Sequence, residues 1–270
     1  MRPLRQARSM ETTTVKGEYV PRPRPAHEPP LLLAFLTQTA RYCSEIVSRV
    51  GGKPTLTAEL FAGATRKLLK EVSETASLER TQALLFLGFY EWTALHGQKG
   101  FQTIRAAITS AQALGYQYLD HPENTNNKAG TESCGDEYAQ QDIFIEREIE
   151  RRTFWSCFIM DRYMSCGKLR PPVLDVTETW VQLPCSDEAF GHGQNVKTRI
   201  LAESDEEYLR RRQVSESFLH PIDRAVNDIS GVDNEVEWEV GKDEGELSLY
   251  IRRVEHFGRV MKWSTKGGRR

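Results

Sequence analysis

The run from Glu146 to Cys166, EREIERRTFWSCFIMDRYMSC, constrains this chain more than any other stretch. No Gly or Pro interrupts it before Gly167, and Ile145, Ile149, Trp155, Phe158, Ile159 and Tyr163 recur at three-or-four spacing. That period gathers side chains on one face of a helix. The same run carries charge, with Glu148, Arg151 and Arg152 ahead of Trp155 and Asp161 and Arg162 among bulky apolar residues. An ion taken into a core without a partner is strongly destabilising. The pattern therefore predicts a buried helix whose carboxylates and guanidinium groups pair inside, or at the lip of, a helical core.

The remainder of the chain supplies helices to surround it. Ser77 opens the almost wholly apolar segment TQALLFLGFYEW, Thr81 to Trp92, which reads as a second central helix. A helix over 101–114 follows, with Gly115 as its C′ residue. Nearer the N-terminus, 31–50 reads as one helical stretch closed by Gly51 and Gly52, and 56–73 as another capped by Thr55 or Thr57. Leu249, Ile251, Val254, Phe257, Val260 and Met261 mark an amphipathic helix over 247–263. Between Val173 and Pro184 the chain reads as extended, with Val176, Trp180 and Leu183 as anchors. The predicted fold class is all-α, a multi-helix bundle of antiparallel helix pairs with roughly seven helices and no repeat of fixed period.

Residues 1–30 hold Pro21, Pro23, Pro25, Pro29 and Pro30 among several arginines, and read as an extended, disordered leader ahead of a domain over 31–268. Residues 121–141, rich in Asn, Gly and Ser, read as a flexible polar insertion. The stretch 191–213 is polar and charged, and Arg210, Arg211 and Arg212 fit a solvated helix face better than a localisation signal. Residues 233–246 are acidic and are expected to be disordered.

The 270 residues carry a net charge of −2, so no overall field recruits nucleic acid or an anionic membrane. No apolar run approaches the roughly 18 residues that span a bilayer, and no secretory signal opens the chain. Cys43, Cys134, Cys157, Cys166 and Cys185 are an odd set without a C-x-x-C pair, which suits a reducing, intracellular setting and structural thiols rather than zinc. His27, His96, His121, His192, His220 and His256 have no recognisable catalytic context, and G-x-S-x-G and phosphate-loop patterns are missing. Glu148 and Asp161 are the one imaginable acid–base pair, but Arg151, Arg152 and Arg162 would hold them ionised. No catalytic, cofactor-binding or metal residue is assigned, and the chain is not read as an enzyme. The aromatics Trp92, Tyr116, Trp155 and Trp180 read as core, with a small-molecule pocket between helices as the other use of such residues.

The segment Glu148-Ile-Glu-Arg-Arg-Thr-Phe-Trp155, followed by Phe158, Asp161-Arg162, Gly167, Arg170-Pro171 and Leu183-Pro184, resembles the fungal-specific transcription factor domain. That domain is the middle homology region of fungal regulators whose DNA-binding module is a Zn₂Cys₆ cluster. Further points of likeness are Gln82 to Leu85, Ala106 to Gly115, Phe190, Tyr250 to Arg252 and Gly258 to Val260. Glu150 stands where the family usually runs three basic residues together, and Thr103 or Ile104 where many members have a Gly. The resemblance covers about Pro30 to Gly268 and implies a regulatory domain, nuclear residence and contacts with other transcription proteins, with a small-molecule effector as a further candidate partner. DNA and zinc are implied only through a separate Zn₂Cys₆ module that these residues do not include. Because the family domain runs on into further helices, the chain is expected to be a truncated or fragmentary form.

Overall fold

A computed structural model describes residues 27–71, 75–124, 137–166, 170–204, 207–208, 210 and 244–265. Its helices are α1 (Pro29–Thr39), α2 (Ser44–Arg49), α3 (Pro54–Glu71), α4 (Leu78–Thr93), α5 (Gly97–Ala113), α6 (Glu137–Met164), α7 (Asp187–Gly191) and α8 (Glu246–Thr265). Short 3₁₀ turns at Ala40–Tyr42 and Tyr116–Tyr118 join them. Among the described residues there is no sheet, only two isolated antiparallel bridges, Gln182 with Ile200 and Cys185 with Glu244. The all-α expectation holds.

Local chemistry sets the helix ends. The Ser77 side chain accepts a hydrogen bond from the Arg80 N–H at 3.1 Å and so caps α4. Gly115 takes φ +72° just past α5, a conformation that side chains with a Cβ resist. Two expectations need correction. The single stretch 31–50 is two helices, because Thr37 and Thr39 turn their hydroxyls onto the Leu33 and Phe35 carbonyls and the chain then tightens into a 3₁₀ turn before an extended Cys43. Threonines bonded in this way bend helices. Nor do Thr55 and Thr57 cap α3, which starts at Pro54; a proline's fixed φ and missing N–H suit a first helical turn.

The closest helix pair is α4 with α5, antiparallel and joined by a tight turn. A Cβ on Gly100 would stand 2.9 Å from the Trp92 backbone nitrogen and 3.2 Å from the Gly88 carbonyl oxygen. The absence of side chains at these positions is what lets the two backbones touch. Helix α1 lies across α3 and α4, α6 packs on α5 and α4, and α8 lies on α6.

Helix α6 begins at Glu137, nine residues ahead of the expected start, because EYAQQD continues the helical run without a breaker. The last five residues of the expected 121–141 insertion therefore belong to the central helix; residues 125–136 lie outside the described residues. Trp155, Phe154 and Phe158 are fully buried and meet edge to face, with centroids 5.4 and 5.2 Å apart. The Trp155 indole N–H donates to the Gln182 carbonyl at 2.7 Å. Cys157, Met160 and Met164 complete this face, whereas Ile149, Ile159 and Tyr163 are only half-buried. The core stripe is thus rotated from the one that the apolar spacing suggested.

The segment after α6 closes the core with Leu174, Val176, Val181 and Leu183. Trp180 is not an anchor: it is 40% exposed, with His121 packed edge-on at 5.0 Å. Its backbone makes the contact instead, exchanging hydrogen bonds with Gln117 and Asp120. Residues 244–246, expected within a disordered acidic stretch, are ordered because Ser248, Arg199 and Arg252 hold Glu244; residues 233–243 lie outside the described residues. Arg210 is described, and Arg211 and Arg212 are not.

Two glycine substitutions separate helix preference from packing. Gly63 sits exposed in α3 with open space at its Cβ position, so Gly63→Ala should stabilise by about 0.5–1 kcal/mol. Gly100→Ala has the same intrinsic gain but a backbone clash, and should destabilise by about 1–3 kcal/mol. Urea unfolding of the two variants should give midpoints that move in opposite directions.

Candidate functional site

The charged residues of α6 form two buried clusters, one near each end of the Trp155 core. In the first, Arg151 forks onto Asp120, with Nε to Oδ2 at 2.9 Å and Nη2 to Oδ1 at 2.6 Å, and its Nη1 reaches Glu148 at 3.5 Å. Asp120 also accepts the Gln182 N–H at 2.8 Å. Glu148, 1% exposed, accepts from Arg152 Nε at 3.1 Å and from the Cys185 N–H at 3.0 Å. Arg152 continues to Asp187 and to the Cys185 carbonyl, and its guanidinium lies 4.4 Å from the Phe190 ring centroid. Ser186 caps α7 through the Ala189 N–H and presents Asp187 to this arginine. Two segments with few helical hydrogen bonds of their own, around residue 120 and from 182 to 187, are thereby fixed to α6.

In the second cluster, Asp161 accepts the backbone N–H groups of Val173 and Leu174 at 3.0 Å and Arg162 Nη1 at 2.9 Å. Arg162 donates to Glu255 on α8 at 2.8 Å and to the Leu174 carbonyl at 2.9 Å, while lying 4.1 Å from the Phe158 ring centroid. A Cβ at Gly258 would come within 3.0 Å of the Arg162 side chain, so the glycine leaves the room that the guanidinium needs. The Tyr163 and Tyr250 hydroxyls add a second tie between α6 and α8 at 2.6 Å. That hydrogen bond, with burial, pushes the Tyr163 phenol up to about 12.

The electrostatics follow from this placement. Burial pushes Asp120 up, but the Arg151 charge and hydrogen bonds and the Gln182 N–H outweigh it and hold the carboxyl below its ordinary range. At Asp161 burial prevails over the Leu174 and Val173 N–H groups and Arg162, and the carboxyl is raised. Burial pushes the Cys157 thiol up, and burial with the Glu148 charge beside it takes Cys185 up to about 12, so neither offers a thiolate at neutral pH. Cys43 is exposed, Cys166 is half-buried and Cys134 lies outside the described residues. Among the described residues no group of three His, Cys, Asp or Glu side chains converges as a metal site.

Structure and sequence agree on the pairing but differ on partners. Glu148 and Asp161 are 13 positions apart in sequence and serve separate clusters, so they do not form an acid–base pair. Asp120, Glu255 and Glu244 were not singled out from the sequence. Glu91 was not either, yet it is 2% exposed and joins Arg66 at 2.8 Å and Thr103 at 2.6 Å. Its signal was legible: a lone carboxylate in an apolar helix calls for a partner.

Two of the surface clefts among the described residues border α6. One, of about 1030 Å³, lies between α8 and residues 165–166 and 170–177, and Arg170, Pro172, Val176, Arg259, Met261 and Lys262 are among its walls. The other, of about 750 Å³, lies between α1, α4 and α6 and is lined by apolar side chains including Leu32, Phe35, Phe86, Phe89 and Ile159. Trp155 and Tyr116 line neither; they are packed in the core. Among the described residues no helix is long and apolar enough to cross a membrane.

The central helix of this all-α bundle thus spends the charges of Glu148, Arg151, Asp161 and Arg162 on internal pairing. A family described as "Fungal specific transcription factor domain" matches residues 10–232, and the chain belongs to that family. Over 173 residues it is 30% identical to a Zn(2)-C6 fungal-type transcription factor of Fusarium oxysporum f. sp. lycopersici, a stretch that covers 64% of this chain and 18% of that protein. An uncharacterized transcriptional regulatory protein of Schizosaccharomyces pombe is 26% identical over 179 residues, 64% of this chain and 24% of the relative. The chain thus spans less than a quarter of the length of these relatives, which are named as transcription regulators and not as enzymes. No solved structure matches it.

The clusters make two predictions. Asp161→Ala leaves Arg162 short of a buried carboxylate and should cost about 3–5 kcal/mol in urea unfolding. Because Asp120 has a depressed native pKa, its contribution is present above the unfolded value near ~3.9 and is lost as pH falls through the native value. Asp120→Asn should therefore lower stability at neutral pH and also flatten the loss of thermal midpoint below about pH 4. Asp161, raised by burial, acts with the opposite sign and stays unchanged in that comparison.

Proposed function

We propose that this chain is the regulatory region of a fungal transcription regulator and that it works through intramolecular and protein–protein contacts. The observation that carries this reading is the employment of the charged motif: Glu148, Arg151, Asp161 and Arg162 are themselves buried and hold the fold together. In this reading DNA recognition and zinc belong to a Zn₂Cys₆ module of the kind that the Fusarium relative is named for, and the chain acts in the nucleus. Its partners are other transcription proteins and segments of the same regulator. A small apolar effector is a second reading, favoured by the cleft between α1, α4 and α6, whose volume suits a drug-sized molecule.

The test is a reporter driven by a heterologous DNA-binding module and an activation segment, with and without this chain fused between them. The expected result is a change in output of several-fold at equal protein level, lost when Asp161→Ala unfolds the region. Unchanged output with the folded chain present would overturn the proposal. The isolated chain is expected to show no sequence-specific shift of a DNA duplex. Heat-stabilisation of the chain by apolar ligands, lost on Phe89→Glu, would favour the effector reading.

A further inference from the structure

We infer that the cleft between α1, α4 and α6 takes an uncharged, mostly hydrocarbon molecule whose single hydroxyl donates to Gln82. This assignment rests on the effector reading of that cleft and adds the chemistry of its ligand.

Three helices each turn a stripe of side chains to the cleft. Leu32 and Phe35 come from α1, Phe86 and Phe89 from α4, and Ile159 and Met160 from α6. Leu32, Phe35 and Phe89 are 46, 49 and 41% exposed, so a ligand seated there removes apolar surface from water. Phe35 meets the Phe86 ring edge-on at 6.1 Å and ties the α1 wall to the α4 wall. At about 750 Å³ the cleft has the size of small-molecule sites, roughly 300–1,000 Å³.

Charge decides what enters. Two ionisable side chains line the cleft among the described residues, Arg152 and His27, and both already have partners. Arg152 gives Nε to Glu148 at 3.1 Å, Nη1 to Asp187 at 2.9 Å and Nη2 to the Cys185 carbonyl at 3.0 Å. His27 Nδ1 lies 3.0 Å from Glu79 Oε1. A ligand carboxylate or phosphate would give up water without gaining an unpaired cation, and a ligand ammonium would meet no carboxylate on these walls. An ion buried without a counter-ion is strongly destabilised. The ligand is therefore neutral.

Hydrogen bonding narrows the class further. Thr153 donates its hydroxyl proton to the Ile149 carbonyl at 2.8 Å, and Ser156 donates to the Arg152 carbonyl at 2.8 Å. With its proton committed, Thr153 can only accept, and it takes a hydrogen bond from the Gln82 amide nitrogen at 3.0 Å. That contact fixes the amide, because a reversed Gln82 would set its oxygen against another acceptor. The Gln82 Oε1 accepts no hydrogen bond among the described residues. Half-buried Gln82 thus keeps an oriented acceptor on an otherwise apolar wall. A hydroxyl supplies the matching donor without bringing charge.

The test uses the full chain with Nile red as a fluorescent occupant of the cleft, displaced at neutral pH by pyrene, 1-pyrenemethanol or 1-pyrenecarboxylate. These three share one hydrocarbon body and differ in the group that it carries. The alcohol should displace the dye at least as well as pyrene, and the carboxylate at least about tenfold less well than the alcohol. Gln82→Leu should lower the affinity of the alcohol about tenfold and leave that of pyrene unchanged, since the hydroxyl then enters without a partner. Phe89→Glu should weaken both, with an unchanged thermal midpoint showing that the chain is folded. Equal effects of Gln82→Leu on alcohol and pyrene, or no effect on either, would overturn the hydroxyl anchor and leave the cleft a plain apolar site. Tightest binding by the carboxylate would overturn the neutral class. Dye binding that ignores Phe89→Glu would overturn the site and the effector reading with it, while the reporter assay would still decide the regulatory one. A mass that doubles with concentration as dye binding is lost would assign the cleft to a second copy instead.

Discussion

Everything in this bundle depends on the cost of burying charge on α6 and on how that cost is met. A helix with Glu148, Arg151, Asp161 and Arg162 turned inward is tolerable only if each ion finds a counter-ion and its remaining donors and acceptors find partners. The chain meets this demand with its least regular parts. Asp120 follows a 3₁₀ turn, Cys185 and Gln182 offer backbone groups from an extended run, and Val173 and Leu174 give their N–H groups to Asp161. The ionic pairs thus do for loops what a sheet does elsewhere: they satisfy backbone groups and fix a register. Trp155 sits between the two clusters, and its indole bond to the Gln182 carbonyl joins the apolar core to the same extended run.

Much of this was legible in the sequence. The helical period, the glycine ends and the crowding of charge around Trp155 gave the central helix and its need for ion pairs. The partners were not legible, because Asp120 and Glu255 stand 31 and 93 positions from the arginines that they meet. Local patterning carries no information about such distances. Trp180 shows the reverse failure: bulk suggested an anchor, but its backbone, bonded to Gln117 and Asp120, does the anchoring while the ring faces outward. The rotated core stripe of α6 has a related cause. Half-buried Ile149 and Ile159 border an open cleft and half-buried Tyr163 packs on the exposed Phe257, so apolarity there marks surface as much as core.

The division between an engaged interior and an unspent surface shapes the functional reading. The Cys157 and Cys185 thiols are held protonated, the buried carboxylates of α6 are committed to arginines, and the described residues hold no convergent metal set. Exposed instead are Phe89, Phe257 and Trp92, the last expected from the sequence to be core, and half-buried Tyr163 links them across helices. Phe89 lies 6.2 Å from Trp92, Trp92 stacks 5.9 Å from Tyr163, and Tyr163 meets Phe257 at 6.1 Å. Such surfaces suit contact with other polypeptides, as the proposed regulatory role requires.

The most direct test of the account is a double-mutant cycle on Asp120 and Arg151 by equilibrium unfolding in urea. If the buried pair is what fixes the loop to α6, either single alanine variant already loses nearly everything that the pair contributes. The double variant is then barely less stable than each single one, with a coupling energy of about 2–3 kcal/mol. Additive losses, with coupling near zero, would contradict the claim that paired charge on α6 organises this fold.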